Sequence, residues 1–217
     1  LHRDARELLR GRGRSRALCG RPGAGRSELL LQLHGRLFRD GEVLPLLVAP
    51  SAGMDAARCA GECAWQMALQ ALAFARRDPS LLLSRPSPES VAAGLRPAFG
   101  GAGAPLAAAL APSGAGALGS ERLAEILLLP HRFSLVSGVP VVVMIDDAAH
   151  LHAAAETTAP LARAAASATA PLLLALESEA ELALLLGPGA AASATLERLG
   201  PLSHEALRQL ARSLARI

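Results

Sequence analysis

The chain has 217 residues, a formal net charge of +3 and 51% hydrophobic residues, so it is long enough for one α/β domain and too apolar to be wholly disordered. All 22 basic residues are arginines, and alanine and leucine account for most of the hydrophobicity without an uncharged run that could span a membrane. Three cysteines are too few and too odd in number for a disulfide framework, so we expect a cytoplasmic protein.

Five short apolar runs predict the strands of a parallel sheet. Turn residues bound each run and helical patterns separate them, which is typical of an α/β fold with helices on both faces of the sheet. Pro45 lies inside the second run, and because proline has no N–H to give to a neighbouring strand, we expect that strand at a sheet edge. The runs are Arg16–Cys19, Val43–Ala49, Val139–Ile145, Leu172–Leu176 and Thr195–Leu199.

Three of the helical patterns between the strands have recognisable ends. The first predicted helix runs from Ser27 to Arg39 and can end at Gly41, and the second runs from Asp55 to Arg77. A third should begin directly after Ser120, which would cap it, and Pro130 should kink or break it.

The remaining stretches set the domain boundaries. Residues 100–119 are rich in glycine, alanine and proline, so we interpret them as a mobile insertion in which a short helix could form at Leu106–Leu110. We expect one domain over residues 1–203 that opens with a short helix at Leu1–Leu9, and residues 204–217 should begin a truncated helical lid. The chain therefore suggests a domain cut from a longer polypeptide.

The strongest functional signal is the loop after the first strand, which reads Gly20-Arg21-Pro22-Gly23-Ala24-Gly25-Arg26-Ser27 and is followed by Glu28. It fits the phosphate-binding pattern G-x-x-x-x-G-K-[ST] except that Arg26 replaces the lysine. Glycines let backbone N–H groups converge on a phosphate, and the helix that follows adds its dipole. This predicts binding of ATP or ADP by residues 20–28, with Ser27 as a Mg²⁺ ligand and Arg26 as a source of catalytic positive charge. The alternative is a glycine-rich turn without a ligand.

A second signal ends the third strand, where Val141-Val142-Val143-Met144-Ile145 is followed by Asp146-Asp147. Acidic residues after a buried strand are placed to hold Mg²⁺ and to orient an attacking water, and we assign these roles to Asp146 and Asp147 respectively. The alternative is a buried strand followed by an ordinary acidic turn. Because this acidic segment follows the glycine loop along the chain, we favour the functional interpretation, and the two motifs together predict a P-loop NTPase fold.

Three segments resemble STAND-type signal-transduction ATPases, which are AAA-like modules of large bacterial transcriptional regulators. They are Pro140–Leu151, Pro171–Leu182 and Leu196–Ser203. The resemblance implies a five-stranded sheet of order 5-1-4-3-2 and a nucleotide-dependent switch within a larger signalling protein. It also implies contacts with other domains of the same polypeptide and possible self-association.

Two residues depart from that family pattern. Arg26 stands where the family has lysine. Glu177 stands at the end of the fourth strand, where the family usually has a polar residue that senses the γ-phosphate. If the alignment with the family is shifted by one residue, Ser178 takes this position instead. A carboxylate near a triphosphate would repel it unless a metal or an arginine intervenes, so we expect slow or absent hydrolysis. One alternative function is a pseudo-ATPase that acts as a protein-interaction scaffold.

Other candidates carry less weight. The arginine-rich run Arg10–Arg16 could contact nucleic acid, as in a DNA-associated AAA-like ATPase, or it could be a solvated connector. His150 and His152 could bind a metal, but two histidines do not make a site, and we expect a surface loop or the start of a helix. Cys59 and Cys63 are four residues apart on one helix face, where we expect a packed apolar pair and not a metal site.

Overall fold

Strands and helices alternate along the chain in the computed structural model, which describes residues 14–111, 119–154, 158–167 and 169–200. The strands are β1 (Arg16–Cys19), β2 (Leu44–Val48), β3 (Val141–Ile145), β4 (Leu172–Leu176) and β5 (Thr195–Arg198). The helices are α1 (Arg26–Asp40), α2 (Ala56–Arg76), α3 (Leu81–Ser84), α4 (Pro88–Phe99), α5 (Gly103–Ala109), α6 (Gly119–Ser137), α7 (Ala149–Ala154), α8 (Thr158–Ala165) and α9 (Glu179–Ser193), with a 3₁₀ turn at Gly100–Ala102.

The five strands form one parallel sheet in the order β2-β3-β4-β1-β5, which confirms the predicted order and the edge position of β2. Cys19, the last residue of β1, pairs with Leu176, the last residue of β4. The glycine loop and the residue after β4 therefore leave the sheet side by side, at the carboxyl edge where open α/β sheets bind ligands.

Both faces of the sheet are buried at β1 to β4, as expected for short continuous apolar strands, whereas β5 is only partly buried. Leu18, Met144 and Leu173 pack on one face with Leu30 and Leu37 of α1. Alternate residues of the same strands face the other side, where the helices from α2 onward supply the larger core cluster. Helices thus cover both faces of the sheet, which confirms the three-layer α/β sandwich.

The edge of β2 is bonded by side chains of α2. The buried Gln70 accepts from Leu47 N–H (2.7 Å) and donates Nε2 to the Leu47 carbonyl (2.7 Å), while Gln66 accepts from Ala49 N–H (3.0 Å). Pro45, two residues before Leu47 on the same side of the strand, has no N–H to pair. On the outer side of β2, the backbone N–H groups of Leu47 and Ala49 are therefore bonded to glutamine side chains, and Pro45 has no N–H.

Much of the stretch predicted as a mobile insertion is regular structure. The 3₁₀ turn and α5 occupy residues 100–109, and Ala102 and Leu106 are buried in the larger core cluster. Arg122 of α6 donates Nη2 to the carbonyls of Ala109 (2.9 Å) and Ala111 (2.8 Å), which fixes the end of α5. The glycine and alanine content therefore reflects close helix packing in residues 100–111; residues 112–118 lie outside the described part.

The predicted cap at Ser120 and the predicted break at Pro130 were wrong, and a kink at Pro130 stays a prediction. Ser120 is the second residue of α6 and so does not cap it, because the helix already begins at Gly119. Pro130 does not break α6, which continues to Ser137, because the residues around it, Ile126, Leu127 and Phe133 among them, are buried and outweigh the loss of one backbone hydrogen bond.

The predicted helix at Leu1–Leu9 and the predicted lid at 204–217 lie outside the described residues. Within the described residues, the helices are too short or too polar to cross a lipid bilayer.

Candidate functional site

The loop between β1 and α1 is built around two glycines in the left-handed region. Gly20 N–H donates to the Leu176 carbonyl (3.1 Å) and so continues the β1–β4 ladder by one bond. The chain then turns through Gly23 (φ 81°) and Gly25 (φ 84°), a conformation that side chains with a Cβ rarely adopt. Gly25 is the residue that precedes α1. The glycine spacing seen in the sequence is thus required by the path of the backbone.

The start of α1 presents unpaired backbone donors. The N–H groups of Gly25, Arg26 and Ser27 have no protein acceptor in the described part of the chain, and no side chain caps the helix. The first turn of a helix also carries the positive end of its dipole. Free donors and a positive dipole end together form an environment suited to an anion such as a phosphate.

Arg26 extends across the base of this loop. Its side chain is 8% exposed, and its Nη1 donates to the Gly20 carbonyl at 2.6 Å. Its Nη2 lies 3.4 Å from Asp147 Oδ1 and 3.7 Å from Glu177 Oε1. One guanidinium therefore joins the residues that follow β1, β3 and β4.

The two aspartates after β3 occupy different positions. Asp146 N–H donates to the Val48 carbonyl (2.9 Å), which keeps this residue beside the end of β2, half-buried. Asp147 has a positive φ of 44°, and its N–H donates to Asp146 Oδ1 at 3.1 Å. Its carboxylate is about half exposed and points to Arg26, so only Asp147 of the two contacts the loop arginine.

The structure resolves which residue follows β4 at the loop. Ser178 precedes α9 and accepts a hydrogen bond from Glu181 N–H (3.3 Å), so it caps that helix. Glu177 is the residue that contacts Arg26, and its own N–H donates to Glu181 Oε2 at 2.9 Å. The sequence placed Glu177 near the loop, but its contact with Arg26 was not predicted. The contact could have been expected because arginine, which reaches further than lysine, replaces the usual lysine.

The other predicted nucleotide-binding residues are exposed or half-buried, in the loop or at the first turn of α1. Ser27 is exposed, and no hydrogen bond of its hydroxyl occurs within the described residues. Glu28 accepts from Gln32 Nε2 (2.7 Å), so it belongs to a helix-surface pair and turns away from the loop interior. Arg21 and Pro22 are exposed, and Ala24 is half-buried with its N–H bonded to the Arg21 carbonyl (3.0 Å).

The residues at this edge fit a nucleotide and a magnesium ion by the chemistry of their donors. Unpaired N–H groups suit phosphate oxygens, while the Ser27 hydroxyl and the Asp146 carboxylate are oxygen ligands of the kind that Mg²⁺ prefers. A divalent cation would also offset the excess of carboxylates, since Asp147 and Glu177 both face the single guanidinium of Arg26 and Asp146 adjoins Asp147.

The remaining candidates have structural roles. Cys59 and Cys63 are fully buried and hydrogen-bonded to each other; that bond lowers the pKa of Cys59, whereas the same bond and burial raise the pKa of Cys63. Nδ1 of His150 donates to the Pro50 carbonyl at 3.0 Å. No group of three metal-ligating side chains occurs in the described residues. Arg16 lies in β1 and pairs with Glu197 (2.5 Å), so this end of the basic run is neutralised.

No protein-family model and no curated protein sequence matches the chain. Solved structures do: Cdc6p from Pyrobaculum aerophilum has a TM-score of 0.54 and 15% identity, over 93% of this chain and 43% of that one. The Aeropyrum pernix ORC2 protein in its ADP form has a TM-score of 0.58 and 12% identity, over 99% and 50%. The Aeropyrum pernix ORC1 protein in complex with DNA has a TM-score of 0.51 and 16% identity, over 99% and 47%.

The chain has a P-loop NTPase fold. The strand order β2-β3-β4-β1-β5, the glycine loop between β1 and α1 and the likeness to these structures agree on this assignment. Identities of 12–16% extend the likeness to the fold alone, and the P-loop domain spans 43–50% of the length of the three proteins.

Proposed function

We propose that the P-loop domain binds ATP or ADP together with Mg²⁺ at residues 20–28 and uses the nucleotide state as a conformational switch. The observation that carries this proposal is the set of unpaired N–H groups at Gly25, Arg26 and Ser27, next to a buried guanidinium. The ADP form of the Aeropyrum pernix ORC2 protein, which shares the fold, supports a nucleotide as the ligand. The three free cysteines fit a cytosolic location.

Each residue of the loop edge has a role in this proposal. The backbone donors of Gly25 to Ser27 bind phosphate oxygens, and Arg26 offsets phosphate charge from within the loop. Ser27 and Asp146 supply oxygen ligands, and bound Mg²⁺ supplies charge neutralisation at the phosphates. Asp147, at the end of β3 and in contact with Arg26, positions water.

Slow or absent hydrolysis is part of the proposal. Arg26 contacts two carboxylates and a carbonyl, so its charge is already largely compensated by the protein. A guanidinium held in this way offers less stabilisation to charge that develops during phosphoryl transfer. We propose a regulatory switch of the STAND type, as the resemblance of the three segments implies, in which other domains of the same polypeptide would respond to the bound nucleotide.

The site is tested by replacing Gly25. Changing Gly25 to Val should abolish the rise in melting temperature that millimolar MgADP or MgATP gives the wild-type domain, because valine at φ 84° distorts the row of N–H donors. The measurement is a thermal-shift titration in which each variant is compared with its own ligand-free melting temperature.

Gly138→Val is the matched control. Gly138 has φ 71°, and a Cβ added there would meet no atom of the described residues within 4 Å. It lies in the turn before β3, at the amino ends of the strands and so away from the glycine loop. This variant should lose similar stability and keep the full nucleotide shift. An undiminished shift in the Gly25 variant would place the ligand elsewhere on the domain.

Asp146 is expected to matter for the metal and not for the fold. Its carboxylate accepts only the neighbouring N–H of Asp147 among the described contacts, so Asp146→Asn should leave the circular dichroism spectrum and the melting temperature nearly unchanged. Affinity for nucleotide in the presence of Mg²⁺ should fall about tenfold, and affinity in EDTA should stay at the wild-type level. Unfolding of this variant would contradict the assignment.

A scaffold that binds no nucleotide is the competing function that Arg26 favours. In that case Asp147 and Glu177 would hold the arginine permanently, and wild-type protein would show no thermal shift with either nucleotide. The same titration therefore decides between switch and scaffold.

Association with DNA is a second candidate, favoured by the likeness to the Aeropyrum pernix ORC1 protein, whose structure is a complex with DNA. Arg14 is exposed at the described end of the basic run. Binding to random duplex DNA should then weaken steeply between about 50 and 200 mM salt. Salt-independent or undetectable binding would remove this candidate.

A further inference from the structure

We propose that Glu177 makes this loop select nucleoside diphosphate over nucleoside triphosphate. The inference rests on the proposed function and concerns the charge of the ligand that the same site accepts. Glu177 and Asp147, the two carboxylates that face Arg26, are called the acidic pair below.

The position of Glu177 follows from the sheet. β4 lies between β3 and β1, and Leu176 pairs with Cys19, the last residue before the loop. Because Gly20 N–H bonds the Leu176 carbonyl, Glu177 leaves the sheet directly beside the first residue of the loop. Its side chain is 53% exposed, so its charge can act on a ligand bound at the loop as well as on Arg26.

The charges near the loop do not balance. Arg26 is the only cation that contacts the acidic pair in the described part of the chain, and Asp146 adds a third carboxylate. Arg21 is exposed and, among the described contacts, touches neither carboxylate of the acidic pair, and Glu179 and Arg198 pair with each other. The three carboxylates therefore exceed Arg26 by two negative charges, and magnesium enters as part of the nucleotide complex, whose net charge already includes it.

A ligand with one more phosphate therefore meets more repulsion. The magnesium complex of a nucleoside triphosphate carries about one more negative charge than that of the diphosphate, and this charge must approach Arg26 and Glu177 together. Asp147 is equally close to Arg26, at 3.4 Å, but it adjoins Asp146, where the magnesium of the complex is proposed to bind, whereas Glu177 has no proposed cation beside it other than Arg26. Glu177 is thus the residue whose charge makes the domain bind the triphosphate more weakly than the diphosphate.

The test compares affinities by calorimetry. Wild-type domain is titrated with MgADP and with the magnesium complex of a non-hydrolysable ATP analogue, and the ratio of the two Kd values is the readout. We expect the diphosphate to bind about tenfold more tightly, equivalent to about 1.4 kcal/mol. Glu177→Gln keeps the shape of the side chain and removes its charge, so the ratio should fall to within about threefold of unity.

Glu179→Gln is the matched control, because it removes the same charge two residues further along, where the carboxylate is paired with Arg198. It should keep the wild-type ratio. Equal binding of both ligands by the wild-type domain, or an unchanged ratio in Glu177→Gln, would overturn this proposal and leave the proposed function in place. No binding of either ligand at millimolar concentration would overturn both.

Discussion

The double replacement Arg26→Lys with Glu177→Arg should raise the ATPase rate of the domain about a hundredfold. In the wild-type protein Glu177 lies 3.7 Å from the guanidinium of Arg26, so a negative charge stands beside the loop where phosphoryl transfer develops more negative charge. A unit charge about 6 Å away is worth roughly 3 kcal/mol at an effective dielectric constant near 20. That energy corresponds to about a hundredfold in rate.

The two single variants should each gain less than the double variant. Arg26→Lys alone leaves an ammonium beside the acidic pair, and Glu177→Arg alone places two guanidinium groups together above the Gly20 carbonyl. The rate is measured as phosphate release at saturating MgATP, with Glu179→Gln as a charge control. A wild-type rate of about 1 per second or more would refute the idea, as would a double variant that binds MgATP well but is no faster.

Replacing Gly103 with alanine should cost about 3 kcal/mol of unfolding free energy. A Cβ at this position would lie 2.3 Å from the Leu95 carbonyl oxygen and 2.8 Å from the Leu95 carbonyl carbon, and these backbone atoms cannot rotate away. The helices α4 and α5 must separate, which loosens the contact of Leu106 with the core, and overpacking of this kind costs 1–3 kcal/mol or more. The measurement is urea unfolding at 25 °C.

The neighbouring Gly101 provides the control, because a Cβ there would meet no atom within 4 Å. Gly101→Ala should change stability by less than about 0.5 kcal/mol. Equal stability of the two variants would mean that α4 and α5 are not closely packed at Gly103.

The sheet could be predicted from the sequence because its signals are local. The strands β2, β3 and β4 are short apolar runs, and Pro45 alone was enough to place β2 at the edge. The loop glycines were equally readable, since Gly23 and Gly25 adopt a positive φ that few other residues tolerate. Residues 20–28 as nucleotide ligands stay a prediction.

What could not be predicted depends on contacts between distant residues. Arg26 and Asp147 are 121 positions apart, and only the folded sheet brings them within 3.4 Å. Whether Glu177 or Ser178 contacts the loop depends on the exact last residue of β4, and a sequence pattern does not define the end of a strand to within one residue. The glycines and alanines of residues 100–109 indicated low complexity, although in the fold their small size lets α4 and α5 approach.

The glutamines of α2 have a consequence for how this protein can assemble. An unprotected edge strand can accept a strand from a second molecule and so begin a shared sheet or an aggregate. Here Gln70 takes the place of a neighbouring peptide group at Leu47, Gln66 covers Ala49, and Pro45 offers no donor. Over the described residues 45–49, the β2 edge therefore offers no free backbone N–H to an incoming strand. Copies of the domain that associate should therefore meet through other surfaces, and crowding should not convert them into fibres through this edge.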